Sequence, residues 1–70
     1  MITKNDISLG KIIKKHRKKM GLTQEQLAER LMLSTKYIQF IENGSRKPSL
    51  KTIYKMAKVF MVKVRDLFRF

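Results

Sequence analysis

The stretch LTQEQLAERLMLSTKYIQFIENG, residues 22–44, holds two short helical patterns with only MLS between them. Thr23 with Gln26 three positions on is a capping box, in which each side chain satisfies a backbone N–H at the helix start. Leu22 ahead of the cap is placed to staple onto Leu27 behind it. Ser34 opens the next helix and Asn43-Gly44 closes it. A linker as short as MLS cannot bring the two helices antiparallel, so they cross steeply, in the helix-turn-helix arrangement. Close crossing needs a small residue, which Ala28 supplies. Leu27, Leu31, Leu33, Ile38 and Ile41 fill the angle.

With Ile38 and Ile41 turned to the core, Thr35, Lys36, Gln39 and Phe40 point outward. A hydroxyl, an ammonium, an amide and a phenyl ring thus share one exposed face.

The same periodicity extends on both sides. Leu9, Ile12, Ile13, His16 and Met20 follow helical spacing up to Gly21, with Lys11, Lys14, Lys15, Lys18 and Lys19 on the opposite face. Ser49 caps a fourth helix running to about residue 60, with Leu50, Ile53, Tyr54, Ala57 and Met61 as its apolar stripe. A short fifth helix starts near Val64 and turns Leu67 and Phe68 inward. No segment alternates with a period of two for long enough to make a strand. The expected fold is all-α, a compact five-helix bundle forming one domain over residues 1–70 with its core at about 9–68.

Seventeen Lys and Arg stand against five Asp and Glu, a net charge of +12 and a pI near 10.5. Such a field favours polyanions: DNA, RNA or an anionic membrane surface. The chain has no cysteine, so neither a disulfide nor a thiolate–zinc site staples it, which fits a reducing cytoplasm. No secretory signal is evident, nor an apolar run of the length that a membrane span needs. With one histidine and no cluster of carboxylates, acid–base and metal catalysis lack their usual groups. The expectation is a protein that is not an enzyme and needs no cofactor, metal or small-molecule ligand.

LGKIIKKHRKKMGLTQEQLAERL (9–31), YIQFIENGSRKPSLKTIYKMAK (37–58) and DLF (66–68) together resemble the phage-repressor and Cro-type helix-turn-helix family, the XRE class. LTQEQLA followed at this spacing by YIxxIENGxRxPS carries the likeness, which covers roughly residues 9–68. The resemblance implies a lambda-repressor-like, five-helix DNA-binding domain. It also implies dimers that regulate transcription from inverted or direct repeats.

In such a domain the helix after the turn enters the major groove and its first residues reach base edges. That places Thr35 and Lys36 at the bases, with Gln39 and Phe40 one turn on. Lysine suits guanine O6 and N7, glutamine suits adenine, and a phenyl ring meets only a thymine methyl or a sugar. Gln24 begins the second helix, where free N–H groups attract phosphate, and the resemblance assigns it to the DNA backbone. Asn43, Ser45, Arg46 and Lys47 in NGSRKPS form a second phosphate clamp, with the Tyr37 hydroxyl a further candidate. These contacts set register without carrying sequence information. Arg17 and Glu42 match family positions that form an ion pair between the first and third helices.

The chain departs from the family pattern at several points. Met32 and Met61 stand where glycine is usual, so a left-handed backbone there is strained by roughly 1–2 kcal/mol, with side-chain packing expected to recover part of it. Phe40 replaces a more usual polar residue, His16 a leucine, and Lys63 a cap, so the fifth helix should fray. His16 is expected half-buried and neutral. Met61, Val62, Leu67, Phe68 and Phe70 offer an apolar end for a homodimer. The sequence reading is a sequence-specific regulator on duplex DNA in the cytoplasm, associated with the nucleoid. Its competitors are a helix-turn-helix adaptor between proteins and a cationic nucleic-acid or membrane binder built on KIIKKHRKK (11–19).

Overall fold

The computed structural model describes residues 2–70. Met1, which the expected domain over residues 1–70 includes, lies outside them. Among the described residues four α-helices and one 3-10 helix make up the regular structure: α1 (Lys4–Lys19), α2 (Gln24–Leu31), α3 (Thr35–Glu42), α4 (Leu50–Phe60) and the 3-10 helix Val64–Phe68. The fold is all-α, but the fifth element is not an α-helix. The 3-10 form places successive side chains about 120° apart. Only one of two adjacent positions on such a turn faces the core: Leu67 sits fully in it while Phe68 is turned out and 44% exposed, correcting the inward placement of both. The Lys63 side chain caps nothing, yet its backbone N–H donates to the Asp66 carboxylate at 3.0 Å and ties down the first turn.

α1 begins five residues ahead of its first apolar stripe residue, Leu9, because Thr3 and Asp6 build a capping box. The Asp6 N–H donates to Thr3 Oγ1 at 3.1 Å, and the Thr3 N–H donates back to Asp6 Oδ2 at 2.9 Å. That backbone donor holds the Asp6 carboxyl below its ordinary range. Leu9, Gly10, Ile13 and Arg17 turn inward, whereas Met20, at the end of the apolar stripe, is exposed. Lys11, Lys14, Lys15, Lys18 and Lys19 cover the outer face. Like charges three or four positions apart oppose the helix by about 0.2–0.5 kcal/mol per pair. The helix dipole favours cations only in the last turn, which covers Lys18 and Lys19 and leaves Lys11, Lys14 and Lys15 without that compensation.

The caps of α2 and α3 form as the sequence indicates. Thr23 and Gln26 exchange both hydrogen bonds, at 3.0 and 2.9 Å, and Ser34 Oγ accepts from the Tyr37 N–H at 3.1 Å. Leu27, Ala28, Leu31, Ile38 and Ile41 belong to one buried cluster with Leu9, Ile13 and the apolar face of α4. Between the helices Met32 adopts φ 58°, ψ 41°, and Met61 after α4 adopts φ 58°, ψ 42°. Both are left-handed, as their place in the pattern requires. Their side chains are 87% and 83% exposed, so packing does not repay the strain.

The phase of α4 differs from the expected one. Thr52, Ile53, Met56, Ala57 and Phe60 face the core, while Leu50, Tyr54 and Met61 face outward. Ile53 and Ala57 fit both stripes, and α4 is apolar enough on its outer side that spacing alone does not choose between them.

Gly10 matters in the middle of α1 because α3 crosses it there. A Cβ at Gly10 would fall on the Ile41 carbonyl oxygen and lie 2.7 Å from that of Glu42. Only a residue without a side chain admits this approach. Among the described residues no helix is long and apolar enough to cross a membrane.

Candidate nucleic-acid interface

α3 has one buried edge, formed by Ile38 and Ile41 at 0% and 1% exposure. Lys36 and Gln39 on the opposite side are exposed, while Thr35, Tyr37 and Phe40 are half-buried. The four expected base-reading residues thus separate into two free side chains and two partly covered ones. Phe40 joins Leu33, Ser34, Lys36, Tyr37 and Arg46 around a shallow groove beside the exposed face of α3.

The loop after α3 folds back on the helix that precedes it. The Ser45 and Arg46 N–H groups both donate to the Phe40 carbonyl, at 2.8 and 3.2 Å, and Asn43 Oδ1 accepts from the Ser45 N–H at 2.9 Å. Gly44 takes φ 82°, and a Cβ there would lie 2.9 Å from Ile7 Cγ1, so the loop is pressed against α1. The Arg46 guanidinium lies 5.9 Å from the centre of the Tyr37 ring, a cation–π contact that holds it beside α3. Lys47 is 67% exposed, with its ammonium 4.0 Å from Asp6 Oδ1. The loop therefore presents Arg46 and Lys47 from a fixed backbone.

A buried polar network joins three elements behind this surface. Arg17 Nε donates to Glu42 Oε2 at 2.6 Å and Nη2 to Oε1 at 3.1 Å, a fork-on-carboxylate pair. Arg17 Nη1 donates to the Leu22 carbonyl at 2.8 Å, and Gln24 Nε2 donates to Glu42 Oε1 at 3.0 Å. Glu42 closes α3 and Gln24 opens α2, so the network fixes one helix against the other. Gln24 is an element of this network as well as a candidate phosphate ligand, which sequence reasoning did not foresee. The two residues are far apart in the chain and no local pattern links them.

His16 lies away from this surface, stacked on Phe60 with ring centroids 5.6 Å apart and 21° between planes. Burial, with Lys19 and Lys15 adding to it, pushes its pKa down from the ordinary histidine value. At the C-terminal end Met61, Phe68 and Phe70 are exposed and Val62 is half-buried. Leu67 is at 0% exposure, which removes it from the set available to a partner. Among the described residues no group of histidine, aspartate and glutamate is placed to hold a metal.

A helix-turn-helix family model matches residues 13–67. The chain belongs to this family. A helix-turn-helix protein of this type is a DNA-binding transcription regulator rather than an enzyme. An uncharacterized HTH-type transcriptional regulator of Archaeoglobus fulgidus is 47% identical over 58 residues, 83% of this chain and 82% of the relative. Among solved structures, the restriction-modification controller protein C.AhdI from Aeromonas hydrophila superposes with a TM-score of 0.83 at 34% identity. That match spans 89% of this helix-turn-helix chain and 94% of C.AhdI. SinR, a master regulator for biofilm formation solved in complex with DNA, gives 0.79 at 32% identity over 84% of this chain and 95% of SinR.

Proposed function

We propose that this regulator binds duplex DNA as a homodimer, with α3 of each copy in the major groove. Lys36 and Gln39 read base edges, Lys36 suited to guanine and Gln39 to adenine. Thr35 contacts the first base or its phosphate, and Phe40 packs on a sugar or a thymine methyl at the groove wall. Asn43, Ser45, Arg46, Lys47 and the Tyr37 hydroxyl take phosphates on one side, and Gln24 with the start of α2 takes them on the other. Arg17 and Glu42 touch no DNA in this reading; they hold α3 at the angle the groove requires.

The observation that carries the reading is the exposure of Lys36 and Gln39 on a helix whose other edge, Ile38 and Ile41, is sealed in the core. Two reading helices in a dimer would stand about one helical turn, roughly 34–36 Å, apart. Met61, Val62, Phe68 and Phe70 are the surface available to join two copies. Selection of bound duplexes from a random pool tests the reading, followed by gel shifts of the winner against random duplex and sedimentation at micromolar concentration. A selected sequence preferred at least a hundredfold, with half-sites one turn apart and a dimer in solution, is the expected outcome. No enrichment from the pool contradicts it.

A further inference from the structure

The reading surface uses few of the cations this chain carries. Lys36, Arg46 and Lys47 serve it, and Arg17 is bound to Glu42. The largest group left over is on α1: Lys11, Lys14, Lys15, Lys18 and Lys19, all exposed. The ion pairs among the described residues are Arg17–Glu42, Lys47–Asp6 and Arg69–Asp66, so no α1 lysine of this group reaches a carboxylate.

Helical spacing puts Lys11, Lys15, Lys18 and Lys19 on the side of α1 away from Gly10, Ile13 and Arg17, which face α3 and the core, with Lys14 at the border of that side, one turn from Gly10. α1 packs on the inner flank of α3, and Lys36 and Gln39 occupy the outer flank. The lysine face and the reading face thus lie on different sides of a body 27 × 24 × 20 Å across. Duplex DNA is stiff over about 150 base pairs, so a duplex seated along α3 does not curl round so small a body to meet α1.

We propose that the lysine face of α1 is a second, sequence-independent surface for the phosphate backbone of duplex DNA, so that one molecule holds two duplex segments. Charge and length agree. From Lys11 to Lys19 the helix rises about 12 Å, over which the two strands of a duplex carry about seven phosphate charges between them, and the nearer strand meets the four lysines of this face. A lipid surface fits less well. An interfacial helix needs a broad stripe of free apolar side chains to insert, and on α1 Leu9 and Ile13 are buried and Ile12 half-buried, which leaves Ile7 as its one exposed apolar residue. The lysine face is independent of what α3 reads; only the two-segment geometry rests on the proposed function.

The test compares wild type with a Lys11→Gln, Lys15→Gln, Lys18→Gln variant, glutamine being about as good a helix former as lysine. On a random-sequence duplex, the slope of log affinity against log salt should fall by about 2–3 in the variant, at ~0.9 per phosphate contact removed. On beads carrying that duplex, wild-type protein should retain a second, labelled duplex, and the variant should retain several-fold less. Lys36→Ala serves as the separate control. If it leaves sequence preference unchanged, the α3 reading fails while the α1 result stands. Equal capture and an unchanged slope in the triple variant would overturn the proposal, pointing instead to bridging by two reading helices of a dimer. So would vesicles of anionic phospholipid that bind wild type in preference to duplex and release the variant.

Discussion

Gln24, the first residue of α2, donates its side-chain N–H to Glu42, the last residue of α3, at 3.0 Å. Glu42 also receives both prongs of the Arg17 fork, so one carboxylate gathers α1, α2 and α3. Its side chain is 3% exposed and that of Arg17 8%. Removing one partner of a buried pair strands the other charge, at a cost of roughly 3–5 kcal/mol. Glu42→Ala should therefore lose most of the stability of a domain whose whole margin is on the order of 5 kcal/mol. The double variant Arg17→Met with Glu42→Leu should be more stable than Glu42→Ala alone. Urea unfolding followed by circular dichroism checks both, and a Glu42→Ala variant within 1 kcal/mol of wild type, by the ~1 kcal/mol scale of ordinary single substitutions, contradicts the account.

Gly10→Ala should destabilise, against the usual trend. At an exposed helical position alanine improves on glycine by ~1 kcal/mol. Here the added methyl meets the Ile41 and Glu42 carbonyls, which are backbone and cannot swing aside. Overpacking of this kind costs about 1–3 kcal/mol, enough to outweigh the propensity gain. Thermal melts give the sign.

Met32→Gly and Met61→Gly should each raise the melting temperature. Both residues hold a left-handed backbone with side chains almost wholly in solvent, so glycine removes a strain of roughly 1–2 kcal/mol and sacrifices little contact. The added chain entropy of glycine takes back a part, up to ~1 kcal/mol. A net gain near 0.5–1 kcal/mol corresponds to a rise of a few degrees for a domain of this size. No rise in either variant would mean that the turns are not strained.

His16 gives stability a pH dependence of definite sign. Its folded-state pKa lies below the ordinary value because the ring is partly buried against Phe60, with Lys19 and Lys15 nearby. Between the folded and unfolded pKa values the unfolded chain binds more protons, so stability rises with pH there. The histidine therefore contributes fully above about pH 6.5, the unfolded value, and stability falls as pH drops through the folded one. Melts from neutral to mildly acid pH should show this decline, and His16→Leu should flatten it.

Local chemistry was legible in the sequence where the partners are close in the chain. Thr23 with Gln26, Ser34 and Ser49 mark three helix starts, and the positions of Ile38 and Ile41 fix which side of α3 is free. Other features depend on distant neighbours. The Thr3–Asp6 cap precedes any apolar residue on the buried stripe of α1, so periodicity does not find it. α4 has two overlapping apolar stripes, and only packing against α2 and the 3-10 helix decides that Met56 and Phe60 go inside rather than Leu50 and Tyr54. Leu67 and Phe68 part company because the side chains of adjacent residues on one short turn diverge by about 100° or more, and packing brings only Leu67 to the core. In the candidate interface, the free Lys36 and Gln39 follow from helix phase alone. The half-burial of Thr35 and Phe40 and the bond from Gln24 to Glu42 follow from tertiary contacts.

The most direct measurement sets the α3 variants against the loop variants on one panel of duplexes, the selected operator and its single-base changes. Lys36→Ala and Gln39→Ala should each cost about 1–3 kcal/mol on the operator and erase discrimination at one base pair. Arg46→Ala should weaken every duplex alike and lower the salt slope by about 1. If Lys36→Ala and Gln39→Ala leave the order of preference across the panel untouched, α3 is not the reading helix.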